Sequence, residues 1–382
     1  MKKQWKIGFD AKRIVRNGTG LGSYSRTLVN ALSALQQNVE LLLYAPDAGR
    51  EALRKQVEVN GNMRFVYPRP RLMPFYKQWW RSKGIVADLQ RDGVELFHGL
   101  SGELPVGLKA ARIPALVTVH DLIFMRHPEY YHWWDVMIYT RKFRQTLREA
   151  DRIVAISERT KYDIMAFGDF TENRIEVIYQ SCSTRFRQPA TAEACREVAS
   201  LYRLPSRYCL FVGTVEARKN ALLAVKALPQ LPSDLHLVIV GRHTSYAEKI
   251  KKYIGQHRLA HRVHFLQGVP NEHLPAIYQQ AEVFVYPSRY EGFGLPVIEA
   301  IQSGLPVVAC TGSCLEEAGG PYNLYVHPDD VEGMAAAIGS LTENSVMRHQ
   351  IVEKSKEYIE RFENKDTAQR MMKVYEKMLK KE

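Results

Sequence analysis

Cysteine is scarce in this chain of 382 residues: there are five, Cys182, Cys195, Cys209, Cys310 and Cys314. The number is odd and no Cys-x-x-Cys pair occurs, which argues against a disulfide framework and a zinc site and leaves buried or idle thiols. Long apolar runs are missing too, since nothing approaches the ~20 residues needed to cross a bilayer. Asp10, Lys12 and Arg13 interrupt any signal-like stretch behind Lys2 and Lys3. The expectation is a protein of the cytosol or of the cytosolic face of a membrane. There is no Asp-x-Asp triplet, no low-complexity tract and no repeat of solenoid length.

What is present is ordinary globular composition, 46% hydrophobic and 25% charged, in a length that suits two domains. Short apolar runs alternate with amphipathic stretches. Residues 5–9, 39–44, 63–67, 94–98, 115–119 and 152–156 read as strands, and 24–35, 75–90 and 130–149 as helices. The pattern lapses near 186–205, then restarts. Strands are expected at 208–212, 235–240, 263–266, 283–286 and 306–309, with helices at 221–228, 246–258, 274–280 and 297–302. Strand–helix alternation in two blocks predicts an α/β chain with two parallel sheets. The expected domains are 1–186 and 187–364, followed by a charged helix at 365–382. In open sheets of this kind ligands bind beyond the carboxyl ends of the strands, and four motifs fall there.

The most specific is Ser-Arg-Tyr-Glu-Gly-Phe-Gly-Leu-Pro-Val-Ile-Glu at 288–299. Pro296 suits a first helical turn, where its missing N–H would have no partner anyway. The bend at Phe293, Gly294 and Leu295 brings backbone N–H groups and a helix N-terminus towards an anion or a sugar hydroxyl. Glu291 in the loop and Glu299 in the helix are two carboxylates suited to vicinal hydroxyls; the plainer alternative is a solvated loop residue and a first-turn Glu favoured by the dipole. The second motif, Val-Gly-Thr-Val-Glu-Ala-Arg-Lys-Asn at 212–220, puts Arg218 and Lys219 before a helix that Asn220 is expected to cap. Two cations there can neutralise a pyrophosphate, unless they are simply solvated. The third, Asn-Gly-Thr-Gly-Leu-Gly-Ser-Tyr at 17–24, reads as a glycine-rich loop or a flexible turn. Its G-x-G-x-G spacing is not the dinucleotide fingerprint. The fourth is Val-His-Asp at 119–121, where His120 is available to bind a hydroxyl or move a proton, or is structural.

These motifs, in this order, resemble the retaining glycosyltransferases of family 4 over nearly the whole chain. The most specific part is the E-x7-E element from Glu291 to Glu299, extended by Gly-Leu-Pro-Val-Val-Ala at 304–309. The resemblance implies a GT-B fold, two Rossmann-like domains facing each other across a cleft. It also implies a hexose, with mannose favoured, moved from a nucleotide diphosphate sugar to a glycan or lipid-linked acceptor in surface polysaccharide biosynthesis. By it, Arg218 and Lys219 bind the diphosphate and Glu299 the ribose. Glu291 and the 293–295 backbone hold the sugar, which His120 contacts from the other domain. Gly20 approaches the donor, and the backbone at Gly268 and Val269 meets the base. The last helix packs back on the N-terminal domain. No cofactor and no metal are expected, with cations in place of Mg²⁺. The chain departs from the family pattern at 179–183, which reads Tyr-Gln-Ser-Cys-Ser, and no donor contact is carried onto it.

Other classes fit less well. A nicotinamide oxidoreductase needs a G-x-G-x-x-G turn, which is missing. A glycosidase pair needs carboxyls held ~5 Å apart across the scissile bond, and nothing in the spacing sets that. A non-catalytic sugar-nucleotide-binding protein on the same fold stays open. The net charge of +12 sits almost wholly in residues 1–188, and no nucleic-acid partner is expected. Within that half, residues 69–83 mix cations with aromatics. Phe75, Trp79, Val86 and Leu89 are expected along one helical face, with Lys77, Arg81 and Lys83 off it. That pattern suits an anionic bilayer surface, or a helix whose tryptophans simply pack inward.

Overall fold

The computed structural model describes residues 4–35, 38–69 and 74–380. They form two compact units, one made of the chain up to Ser181 together with the segment from Phe362 onward, the other of Cys182–Arg361. The first unit holds a parallel sheet of β1 (Trp5–Asp10), β2 (Val39–Tyr44), β3 (Met63–Val66), β4 (Leu96–Gly99), β5 (Ala115–Val119), β6 (Arg152–Ala155) and β7 (Ile175–Val177), in the order β3-β2-β1-β4-β5-β6-β7. The second holds β8 (Tyr208–Val212), β9 (His236–Val240), β10 (Val263–Leu266), β11 (Val283–Tyr286), β12 (Val307–Cys310) and β13 (Leu324–Val326), ordered β10-β9-β8-β11-β12-β13. Central strands such as β5 and β12 are buried at every position, as expected where helices cover both faces. The strand order reverses between β1 and β4 in one sheet and between β8 and β11 in the other. Crevices at such reversals are where open α/β sheets take their ligands.

The edge strands β7 and β13 escaped the sequence reading. Each has three residues, too few for a period to register. The glycine-rich loop is corrected as well. Gly20 and Gly22 lie in the first turns of the helix Gly20–Ala34, whose N-cap is Thr19. Asn17 Oδ1 accepts from both the backbone N–H and the hydroxyl of Thr19, each at 2.8 Å, and this turn starts the helix. A Cβ on Gly22 would stand 1.9 Å from the Asn17 carbonyl oxygen. The glycine there serves a close backbone approach within the fold. Gly20 has open space around its Cα.

The C-terminal helix, Asn364–Leu379, belongs to the core of the first unit. Ala368, Met371, Met372 and Tyr375 are buried among residues of β1, β2 and the Gly20–Ala34 helix. Tyr375 also closes a buried polar chain: its hydroxyl is 2.7 Å from His98 Nδ1, His98 Nε2 is 2.9 Å from Thr118 Oγ1, and Thr118 Oγ1 is 3.2 Å from the Tyr24 hydroxyl. Burial, with a smaller push from His120, takes the His98 pKa down to about 3. The ring is therefore neutral, and this chain of partners satisfies it.

The expected helix at 75–90 is interrupted. It runs as Tyr76–Trp79, a π-turn at Trp80–Gly84, and Ile85–Arg91. The extra residue per turn shifts the period, so the expected apolar stripe splits. Phe75 and Trp79 are 78% and 51% exposed, while Leu89 and Trp80 are buried. Trp80 Nε1 donates to Asp88 Oδ2 at 2.6 Å. Arg81, expected as a surface cation, is instead mostly buried. It forks onto Asp10 at the end of β1, with its Nη2 2.5 Å from Oδ2, and also pairs with Glu103. Lys77 does reach the surface, where it pairs with Asp47 at 2.8 Å. Pro70–Met73 of the 69–83 segment lie outside the described residues.

Candidate active site

The two C-terminal motifs meet at the β8/β11 reversal. After β8 the chain passes through a single 3₁₀ turn, Ala217–Lys219, and then into the helix Ala221–Ala227. After β11 it bends through 288–293 into the helix Leu295–Gln302. Gly294 precedes that helix at φ +118, a conformation that L side chains rarely adopt, and a Cβ there would lie 2.9 Å from Leu315 Cδ2. Pro296 occupies the first turn. The backbone N–H of Arg289 donates to the Arg218 carbonyl at 2.8 Å, which ties the two loops together.

Glu291 is the centre of this site. Lys219 Nζ lies 2.8 Å from its Oε1, and Arg218 Nη1 lies 2.8 Å from its Oε2. Ser288 Oγ donates to Oε1 at 2.8 Å and the Tyr286 hydroxyl at 3.0 Å. Its side chain is 12% exposed, so the solvated-loop alternative does not hold. Burial alone would raise its pKa, but Lys219 and then Arg218 outweigh it and hold the carboxyl down to about 2. Its contribution to stability is therefore complete above the ordinary carboxylate range and is lost only as pH falls through about 2. Burial works against the charge of Arg218, and Glu291 and Glu216 overcome it, so the guanidinium pKa is raised. Arg218 also donates to Glu216 Oε1 at 2.7 Å and to the Tyr290 carbonyl at 2.5 Å. Lys219 Nζ is 2.5 Å from the Tyr286 hydroxyl. Two cations, one central carboxylate and a second one behind make a polar cluster at the strand ends, suited to anionic ligands with hydroxyl groups.

Glu299 lies past the first turn of its helix, half-buried, and accepts from the Tyr278 hydroxyl at 3.0 Å. Burial raises its pKa, against the pull of Tyr278 and Arg185. Gly268 follows β10 at φ +67 with open space around it, and Val269 is half-buried. Asn220 does not cap its helix through its side chain. It takes a left-handed φ of 54°, and its Nδ2 donates to the Pro328 carbonyl at 2.8 Å. Phe293 is buried and Leu295 half-buried.

In the first unit His120 follows β5. Its Nε2 is 2.8 Å from the Leu100 carbonyl, and its Nδ1 is 2.7 Å from Gln180 Nε2. A carbonyl only accepts and an amide N–H only donates, so the proton sits on Nε2. Burial lowers the pKa, against the Leu100 carbonyl, to about 4. The ring is neutral at pH 7, with both nitrogens engaged within the first unit. Gln180 comes from the stretch where the chain departs from the family pattern. Sequence reasoning missed it, along with Glu216, Tyr286, Ser288 and Tyr278. Glu216 and Ser288 lie inside the two motifs, and Tyr286 and Tyr278 stand at the ends of β11 and of the helix Leu274–Gln279 beside them.

Comparison with known proteins decides the lineage. The family described as Glycosyltransferase Family 4 matches residues 18–185, and Glycosyl transferases group 1 matches residues 200–358. The chain belongs to the group 1, family 4 glycosyltransferases. O-antigen chain mannosyltransferase B of Escherichia coli is 29% identical over 87% of this glycosyltransferase and 89% of its own length. O-antigen chain mannosyltransferase RfbU of Salmonella typhimurium is 26% identical over 86% and 89%. Among solved structures, Anabaena HepE in complex with UDP and glucose superposes with a TM-score of 0.74 at 17% identity, covering 97% of this chain and 99% of its own. At that identity the likeness establishes the fold, which is the two-unit GT-B type. No helix among the described residues is long and apolar enough to cross a membrane.

Proposed function

We propose that this glycosyltransferase moves a hexose, mannose by preference, from a nucleotide diphosphate sugar to a growing surface polysaccharide on a lipid carrier. The observation that carries the reading is the pair of cations at the β8/β11 reversal, clasping Glu291. The mannosyl assignment is supported by the names of the two O-antigen relatives. Arg218 and Lys219 would take the donor diphosphate, exchanging part of their present carboxylate partners for it, and stabilise charge as it develops on the leaving phosphate. Glu299 would take ribose hydroxyls, the 293–295 backbone and Glu291 the sugar, and Gly268 and Val269 the base. Transfer would proceed with retention, and the enzyme would work from the cytosol at the membrane surface. A panel of GDP-, UDP-, ADP- and dTDP-sugars tests the donor by thermal shift. A true donor at 100 times its Kd adds about 2.7 kcal/mol, and no shift with any of them would remove the reading.

The cations are proposed to replace a metal. Chelation with EDTA should therefore leave transfer within about twofold. Turnover that vanishes on chelation and returns with Mn²⁺ or Mg²⁺ would assign the electrostatic work to an ion instead.

The two carboxylates should separate kinetically. Glu299→Gln is expected to weaken nucleotide binding about 10-fold, the size of one charge-assisted hydrogen bond, with little change in kcat. Glu291→Gln is expected to lower kcat, because it loosens the cluster around the reacting centre. Small, equal effects of the two changes on KM and kcat would leave both residues with a structural role only.

A further inference from the structure

The fold treats the two carboxylates of the 288–299 motif differently. Glu291 accepts from Lys219, Arg218, Ser288 and Tyr286. The carboxylate of Glu299 accepts from one donor among the described residues, the Tyr278 hydroxyl, 3.0 Å from Oε2. A carboxylate has about four acceptor positions, so Glu291 is close to filled and Glu299 is not. The other oxygen of Glu299, Oε1, has no partner among the described residues and is not sealed from solvent. An open oxygen on a half-buried carboxylate is a place for an incoming hydrogen-bond donor, because leaving it without one is unfavourable.

Tyr278 is locked in place. It stands in the helix Leu274–Gln279, which follows β10, and is 0% exposed. Its ring meets Phe186 edge-on with centroids 5.4 Å apart, and Phe284 of β11 at the same separation. A phenol packed between two rings has little freedom to redirect its hydroxyl oxygen. Burial, and then the charge of Glu299, push the Tyr278 pKa up, so the phenol keeps its proton and donates. Burial also raises the pKa of Glu299, while the Tyr278 hydroxyl and then Arg185 favour the charged form. Arg185 comes from the turn Thr184–Phe186, and its Nε is buried without a hydrogen-bond partner among the described residues.

We infer that Tyr278 is a positioning residue for the nucleotide: its hydroxyl occupies Oε2 of Glu299, orients the carboxylate and leaves Oε1 to accept from a ribose hydroxyl. The phenol is fully buried and acts only through Glu299. The inference rests on the donor reading proposed above and adds to it the group that sets the geometry of the ribose contact.

The test is isothermal titration of the full chain with GDP and with UDP, each compared with its 2′,3′-dideoxy form. The wild type should bind the ribonucleotide at least about 10-fold more tightly than the dideoxy form, the size of one charge-assisted hydrogen bond. Tyr278→Phe keeps the ring and removes only the donor. It should weaken the ribonucleotide about fivefold and leave the dideoxy form within about twofold, so that the preference for ribose falls. In a Glu299→Ala background the same change should weaken the ribonucleotide less than about twofold, because the carboxylate to be positioned is gone. That background also removes the charge left without a donor, so the comparison stands where Tyr278→Phe alone folds poorly. Equal weakening of both nucleotide forms by Tyr278→Phe would assign the phenol to packing and overturn the inference, and so would additive losses from Tyr278→Phe and Glu299→Ala. A wild type that binds the ribonucleotide no better than the dideoxy form would overturn it as well, without touching the diphosphate contacts of Arg218 and Lys219. A wild type that binds neither GDP nor UDP would overturn the donor reading, and the inference with it.

Discussion

Arg218→Ala combined with Lys219→Ala should lower transfer by about 10²–10⁴-fold. Each cation is expected to supply a charge-assisted contact of about 1.5–3 kcal/mol to the diphosphate, and ~1.4 kcal/mol corresponds to a factor of ten. The structure adds a second consequence. The double variant leaves Glu291, only 12% exposed, without either ion-pair partner. Breaking a buried pair in this way costs up to about 3–5 kcal/mol. The cost here should fall below that range, because Ser288 and Tyr286 still donate to the carboxylate and it can take up a proton instead. Adding Glu291→Gln removes the stranded charge. The triple variant should therefore melt above the double one yet remain as inactive. That separates lost catalysis from lost stability in a way the double variant alone does not. Near-wild-type turnover in a folded double variant would mean that the donor diphosphate binds elsewhere.

The sequence carried the sheets well because most central strands are buried on both faces. β8 and β11 are continuous apolar runs, β2, β5 and β10 are each broken by one polar residue, Glu40, Thr118 and His264, and the bounds read from the sequence coincide with those of all five strands. It failed where tertiary context overrides a local pattern. The π-turn at Trp80–Gly84 breaks the helical period, and no residue type announces it. Arg81 looked like one more surface cation because its partners, Asp10 and Glu103, are far away in sequence. Asn220 has the composition of an N-cap, but the left-handed turn that follows the 3₁₀ segment sends its side chain to Pro328.

The candidate site shows the same division. Spacing placed Glu291, Arg218 and Lys219 in loops beyond strand ends and Glu299 in the helix that follows, because the strand–loop–helix pattern is local. It did not reveal that three of the four share one cluster, since that contact depends on β8 and β11 being neighbours. Nor did it reveal that His120 has both ring nitrogens occupied. One partner is a backbone carbonyl, and the other is Gln180, which lies in the stretch that departs from the family pattern. Chemistry read from residue types thus picked out Glu291, Arg218 and Lys219, which the fold brings together, while their protonation and pairing came only from the fold.

A chain ending at Arg361 should lose the folded first unit. The deleted segment carries Met371, Met372, Val374 and Tyr375, each no more than 6% exposed, together with the fully buried Ala368. Burying a large apolar side chain contributes about 1.5–3 kcal/mol. Four of them thus account for about 6–12 kcal/mol, comparable to the whole stability of a typical domain. Deletion would also open the side of the core built from β1, β2 and the Gly20–Ala34 helix to water, and would leave His98 Nδ1 without the Tyr375 hydroxyl. The expected result is a loss of cooperative thermal unfolding for this unit, with fast trypsin cleavage within residues 4–181. A milder variant reads the polar part alone. Tyr375→Phe keeps the ring and removes only the hydroxyl, and should cost about 1–3 kcal/mol for the stranded, buried imidazole nitrogen. Met371→Ala should cost about 2–5 kcal/mol through the cavity it leaves. If the truncated chain keeps the melting temperature and protease resistance of the full one, the C-terminal helix is only an accessory to this core, and the burial argument fails at its first step.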